Sequence, residues 1–303
     1  MDRLTVSTFP NAKALPLWVG MEQGFFAARG LDVALHETSS SKEQRAALGG
    51  GDVQIVQAAV DNALSMITKG HDVVIVMGGE SGMNDFIVQP HIHDITQLRG
   101  ATIAVDSPDT AYALLARKML AGAGLVLGQD YIFLPVGNGA RRLRVLLADE
   151  TISGAVLNPP FSAQAQLSGL RSLGRLVDVL GPYQAGGAFV LRPWAKAHGR
   201  ELEAYMAGYI AALRWLRDDK NGAAVEAMLS RKLHLSPELA EATKRDLLAP
   251  DFGFTVDAAF NEAGFAAVLA ARAELQGEDP SLRDWRALVD QSYYARALAS
   301  VNG

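Results

Sequence analysis

The 303-residue chain contains no cysteine. That removes thiol nucleophiles, disulfides, cysteine-bound zinc and iron–sulfur clusters together, and it fits any cellular compartment. No apolar run approaches the roughly 18 residues that a spanning helix needs. Val73–Met77, for example, stops at Gly78-Gly79. No membrane insertion is expected. The opening residues Met1–Val6 lack the basic start, apolar stretch and small-residue cleavage site of a secretory signal. The protein is therefore expected to be periplasmic if a signal has been cut away, and cytoplasmic if Met1 is the native start. Basic charge is also short: 28 Lys and Arg face 33 Asp and Glu, a net charge of −5. Bulk charge of that sign excludes generic binding to nucleic acid or anionic membranes, though not a local basic pocket.

Enzyme signatures are equally scarce. No P-loop, HExxH or EF-hand frame is present. Around Ser81 the later glycine, Gly82, falls one place too early for G-x-S-x-G. His91-x-His93 beside Asp94 has no evident third ligand and reads as a polar loop, so neither metal nor cofactor is expected. Gly137-Asn138-Gly139-Ala140-Arg141-Arg142 carries Arg142 where a dinucleotide fingerprint needs its third glycine.

What the chain does have is alternation. With 49% hydrophobic and 20% charged residues it is an ordinary globular sequence, and its length suggests about two domains. Strand-like runs at Leu4–Thr8, Leu31–His36, Val53–Val56 and Val73–Met77 alternate with helical segments. A second set follows at Gly100–Val105, Tyr131–Val136 and Gly154–Leu157. Beyond Trp194 nearly everything is amphipathic and rich in Ala, Leu and Arg. This pattern predicts an α/β fold of two lobes, each a mostly parallel sheet flanked by helices, with a helical C-terminal region. The predicted crossings lie at Gln89–Asp94 and Leu180–Tyr183. One lobe then comprises residues 1–89 and 183–303, and the other 90–182.

Ligands in open α/β sheets bind at the carboxyl ends of the strands, which makes the following loops the candidate site. Asp106-Ser107-Pro108-Asp109-Thr110-Ala111 opens a helix with Ser107 as cap, and the amides of Asp109–Ala111 would face an anion. Ser39-Ser40-Ser41 starts another helix, with Ser41 and Gln44 matching a capping box. Gly78–Gly82, with Ser81, permits close backbone approach. Arg141 or Arg142 could pair bidentately with an anionic head group, while the other lies on a solvated face. Phe9, Phe161 and Tyr183 could line an apolar pocket; Trp18 suits a core face equally well.

Several segments resemble the nitrate/sulfonate/taurine substrate-binding family, which includes thiamine-pyrimidine precursor proteins. They are Ala14–Phe26 with its Leu15-Pro16-Leu17-Trp18 start, Gly30–Val33, Gly49–Val53, Ala58–Asn62, Leu98–Gly100 and Asp106-Ser107. The resemblance covers roughly the first 190 residues. It implies a type II periplasmic binding fold whose two lobes close on a solute that an ABC transporter then receives. By similarity, contacts would come from Phe9, Asn11, Leu15, Ser40 and Asp61 on one side. Ser107, Thr110, Asn138, Arg141 and Asn158 would provide them on the other, with Ser81, Ala111, Phe161 and Tyr183 completing the candidate set.

The expectation is thus a monomeric solute-binding protein that takes a small organic anion, a carboxylate or sulfonate, by hinge closure. If secreted, its partner would be an ABC permease. Arg141 is the expected head-group residue. The family also has enzymatic relatives, and those using cysteine do not fit this composition. A cytoplasmic lyase or decarboxylase acting on a small acid, drawing on Asp61, Asp106 or Asp109, is the alternative. A ligand-sensing regulatory module would need a nucleic-acid-binding segment that the sequence does not display.

Overall fold

The computed structural model of the chain describes residues 1–303, with side chains at every position except Val179 and Leu180. Its ten strands are β1 (Asp2–Thr8), β2 (Leu31–Glu37), β3 (Ile55–Ala59), β4 (Val73–Glu80), β5 (Asp85–Val88), β6 (Ala101–Val105), β7 (Tyr131–Pro135), β8 (Ile152–Leu157), β9 (Arg171–Arg175) and β10 (Gly186–Leu191). They form two five-stranded sheets, ordered β2-β1-β3-β10-β4 and β7-β6-β8-β5-β9. Helices flank both sheets, which is the architecture the alternation predicts.

Each sheet is mixed. In the first, β1 is parallel to β2 and β3, whereas β10 is antiparallel to β3 and β4. In the second, β6 is parallel to β7 and β8, whereas β5 is antiparallel to β8 and β9. Both antiparallel strands are the first that the chain makes after changing sheets. The strand-to-strand connections, Ser81–Asn84 and Leu176–Ala185 with its short helix Leu176–Leu180, are short, and a parallel entry would need a crossover of roughly a dozen residues or more.

The first crossing therefore comes one strand earlier than the turn at Gln89–Asp94, because Asp85–Val88 already pairs with the second sheet. That turn is capped by Asp94, whose carboxylate accepts from the Thr96 amide at 2.8 Å. The two connectors run beside each other. The Ala185 amide donates to the Glu80 carbonyl at 3.2 Å, and the Leu176 amide donates to the Asn84 carbonyl at 3.0 Å.

The helical C-terminal region packs on the first sheet. Although β4 is that sheet's edge strand and is buried throughout, its apolar residues are covered from this side. Ile75 bridges to Val289, and its carbonyl accepts from the Asp290 amide at 2.9 Å; covering an edge also blocks unwanted pairing. The helix Gly199–Arg217 supplies Tyr205, Met206, Tyr209 and Leu213 to the main core.

At the centre of that core Phe26 stacks on Tyr205, with ring centroids 5.6 Å apart. Two glycines make room for the ring: a Cβ at Gly20 would lie 2.3 Å from it, and one at Gly208 would lie 2.5 Å from it. Gly208→Ala is accordingly expected to lower stability by about 1–3 kcal/mol through overpacking. Urea denaturation should show this as a lower midpoint at unchanged slope.

Candidate functional site: a cleft at the strand ends

A cavity of about 770 Å³, its open mouth included, lies between the two sheets. From the first sheet it is lined by Thr8 at the end of β1, Ala58 and Ala59 of β3, Gly79 and Glu80 of β4, and Gly186 and Gly187 of β10. The other sheet contributes Asp106 after β6, Asn138 after β7 and Asn158 after β8. All the parallel strands thus meet the cleft with their carboxyl ends, where backbone groups no longer paired in the ladder can face a ligand. The glycines matter here. A Cβ at Gly187 would fall 2.6 Å from the Met77 carbonyl oxygen, and one at Gly186 would fall 2.8 Å from the Glu80 side chain.

Four charged side chains line the cleft: Lys13, Glu80, Asp106 and Arg142. Lys13 and Glu80 satisfy each other. The Lys13 ammonium donates to Glu80 Oε1 at 2.6 Å, to the Tyr112 hydroxyl at 2.8 Å and to Asn84 Oδ1 at 3.4 Å. Glu80 Oε2 in turn accepts from the amides of Gly82 at 2.6 Å and Met83 at 3.3 Å. Burial alone would lower the Lys13 pKa. Glu80 and Tyr112 outweigh it, so the pKa is raised above its usual 10.5.

Arg142 is buried, at 3% exposure. Its Nε donates to the Val156 carbonyl at 3.1 Å and its Nη1 to the Gly137 carbonyl at 2.8 Å. Among the described residues its Nη2 has no hydrogen-bond partner. Burial pushes its pKa down, and the nearby Asp106 opposes that.

Helix starts supply further donors. The helix Ala111–Gly122 has Thr110 at its N-cap without a side-chain cap, because the Thr110 hydroxyl donates to the Ser107 carbonyl at 2.8 Å. Its first amides, Ala111–Ala113, are left without a side-chain acceptor. The helix Gly139–Ala148 is capped by Asn138, whose Oδ1 accepts from the Arg141 amide at 3.2 Å. Ser41 opens the helix Ser41–Gly50 on the opposite wall. Helix N-termini carry partial positive charge and bind anions.

The candidate residues separate cleanly on placement. Phe9, Asn11, Thr110, Ala111, Asn138 and Asn158 line the cleft together. The others lie elsewhere. Leu15 is a fully buried core residue, and Trp18 shares that core. Ser40 caps the helix beginning at Ser41, accepting from the Glu43 amide at 3.2 Å. The cap is one residue earlier than Ser41/Gln44 because Glu43, not Gln44, reaches back to the Ser39 amide at 2.9 Å.

Asp61 is buried against Arg272 at 2.7 Å. Burial raises its pKa while Arg272 opposes the rise, and the pair fastens the helix Glu262–Gln276 to the helix Asp61–Ile67. Ser81 lies in the first connector, its amide bonded to the Gly253 carbonyl at 3.2 Å. Ser107 donates to Asp109 at 2.5 Å within a turn, so the helix begins at Ala111 rather than at Asp109. Phe161 packs behind Gly139, where a Cβ would meet it at 2.6 Å. Tyr183 is buried in the second core cluster.

Arg141 is exposed, and Arg142 takes the cleft-facing place instead. The buried stripe Gly139, Arg142, Leu143, Leu146 explains this, since those positions share one helical face. The same spacing in the sequence could have selected Arg142. The sequence reading also did not select Lys13, Glu80, Gln57, Tyr209 and Phe254. Glu80 had a local signal, a carboxylate ending a wholly apolar strand. Tyr209 and Phe254 had none, because they arrive from the distant helical region.

Comparison with known proteins agrees with this geometry. The model of the NMT1-like family matches residues 1–230. The chain belongs to that family. No curated protein sequence matches it. A solved structure from Bordetella bronchiseptica RB50 is similar to this NMT1-like chain at 21% identity and TM-score 0.85, over 100% of this chain and 99% of that one. The alkanesulfonate-binding protein SsuA of Xanthomonas axonopodis pv. citri, solved with MOPS bound, is similar at 17% identity and TM-score 0.80, over 96% and 99%. The desulfurization enzyme DSZB is similar at 15% identity and TM-score 0.70, over 99% of both chains. These likenesses establish the periplasmic-binding-protein fold of this NMT1-like chain.

Lys13→Met is expected to destabilise the protein by about 3–5 kcal/mol, because it leaves the Glu80 carboxylate buried without its cation. Thermal unfolding at neutral pH reads this. In the wild type the raised Lys13 pKa means that the pair's contribution persists at neutral pH and fades only as pH climbs past the folded-state value.

Proposed function

We propose that the protein is the solute-binding component of an ABC importer and holds a small organic anion, a carboxylate or sulfonate, in the cleft between its sheets. One observation carries the reading. Two helix N-termini with open amides and the unpartnered Nη2 of a buried arginine converge on one cavity, beside the aromatic rings of Phe9, Tyr209 and Phe254. The head group would take the amides of Ala111–Ala113 and Gly139-Ala140 together with Arg142. Its body would lie along the rings.

With Lys13 paired to Glu80 and Asp106 held by Ser41, one negative charge on the ligand has Arg142 and two helix dipoles to meet it. The sulfonate-binding relative supports an anionic solute. The relative that is a desulfurization enzyme shares the scaffold, yet this chain has no thiol to offer as a nucleophile. Capture and release of an unchanged ligand is the proposed activity, with a permease as partner and the periplasm as its place.

Closure follows from the same geometry. The two lobes are best taken as the two sheets with their flanking helices, joined at Ser81–Asn84 and Gly181–Ala185. Three pairs cross between them at the cleft. Lys13 reaches Tyr112, Ser41 reaches Asp106 at 2.6 Å, and Arg45 reaches Asp109 at 3.6 Å. A ligand touching both walls adds to those contacts only when the lobes are together, so it shifts the population toward the closed form.

Arg142→Gln should weaken binding of the tightest acid in a panel of small sulfonates and carboxylates by about tenfold to a hundredfold. Arg141→Gln should leave it nearly unchanged. Titration calorimetry compares the two, and equal losses would contradict the assignment of Arg142.

A further inference from the structure

The acid Asp106 has no part in holding the ligand's charge, yet it lines the cleft. Its Oδ2 accepts from the Ser41 hydroxyl at 2.6 Å and from the Ser41 amide at 3.3 Å. Ser41 is the first residue of the helix Ser41–Gly50. The chain's own carboxylate therefore occupies, from across the cleft, a helix N-terminus of the first sheet's wall. Its other oxygen, Oδ1, accepts no hydrogen bond among the described residues.

The charge arithmetic of the cleft then becomes asymmetric. The wall made by the second sheet offers Arg142, the uncapped start of the helix Ala111–Gly122 and the Asn138-capped start of the helix Gly139–Ala148, whereas the opposite helix start is already neutralised by Asp106. A ligand with a single anionic group satisfies the first wall. A second anionic group reaching toward Ser41 would meet a carboxylate and be repelled by its like charge. A hydroxyl, ammonium or N–H in that place would instead donate to Oδ1, which otherwise stays unpaired.

We infer that Asp106 is a specificity-determining residue: it makes the cleft select monoanionic acids that carry a hydrogen-bond donor at the far end, and reject dianions of the same length. The inference rests on the solute-binding reading and deepens it. It also gives the Ser41–Asp106 bridge a second consequence. The bridge holds the excluding charge in place as well as linking the walls.

The test uses matched pairs that differ only at the far group: 4-(hydroxymethyl)benzoate against terephthalate, and 2-hydroxyethanesulfonate against sulfoacetate. Each is titrated into the wild-type protein, Asp106→Asn and Asp106→Glu by calorimetry. Wild type is expected to favour the monoanion of at least one pair by about tenfold or more. Asp106→Asn keeps an acceptor for Ser41 but removes the charge, and should shrink that ratio by about tenfold through a gain for the dianion. Asp106→Glu, which restores the charge, should restore the ratio.

Dianions bound by wild type as tightly as their monoanionic partners in every pair that binds overturn the inference, and so does an Asp106→Asn variant that weakens both members equally. Should Asp106→Asn fail to fold, the wild-type ratio alone decides. If neither pair binds wild type, the inference falls while the solute-binding reading still stands or falls on the wider acid panel.

Discussion

The ion pair between Lys13 and Glu80 is the constraint on which the cleft depends. Lys13 lies just beyond β1, Glu80 ends β4, Asn84 closes the first connector and Tyr112 lies in the first turn of a helix of the second wall, and the one ammonium touches the last three. Isolated buried charges cost several kcal/mol each. Here the cost is offset by saturating the donors on one side and the carboxylate oxygens on the other. The result is a neutral, rigid post at the base of the cleft where the chain changes sheets. Because that post consumes its own charge, it leaves ligand recognition to other groups.

Those groups are mostly backbone. Open helix starts and glycine-lined strand ends give a site whose donors are fixed by secondary structure rather than by flexible side chains, which limits the entropy lost on binding. Arg142 fits the same logic. Two of its nitrogens are bound to backbone carbonyls of the second wall, so the guanidinium is held in place before a ligand arrives. Rings from both ends of the chain, Phe9 and Phe254, complete an apolar flank.

Much of this was legible in the sequence, for physical reasons that can be named. Strand and helix periodicities differ enough that the α/β alternation and the loops after β1, β6, β7 and β8 could be read locally. Phe9 followed from those loops, and Asn11, Asn138 and Asn158 from the family resemblance applied to them. The antiparallel entries of β5 and β10 could not be read, since Asp85–Val88 is too short to show a period and pairing is a property of the whole sheet. Ser107 looked like a helix cap, but its hydroxyl turned to Asp109 and moved the helix start to Ala111. The resemblance makes Asp61 a ligand contact, whereas its partner Arg272 lies more than two hundred residues away and is invisible to any local pattern. The choice between Arg141 and Arg142 was a matter of helical phase, and Leu143 and Leu146 carried that phase.

The central claim is that the cleft captures a small organic acid and returns it unchanged. A thermal-shift screen across sulfonates, aliphatic and aromatic carboxylates, nitrate and pyrimidines tests it most directly, with the ligand recovered and identified afterwards. Binding to the folded state alone raises the melting temperature with ln(1 + [L]/Kd). The account predicts that one class of organic monoanion gives this rise and is recovered intact. Stabilisation by neutral pyrimidines alone, or conversion of the stabilising acid into a product, would contradict it.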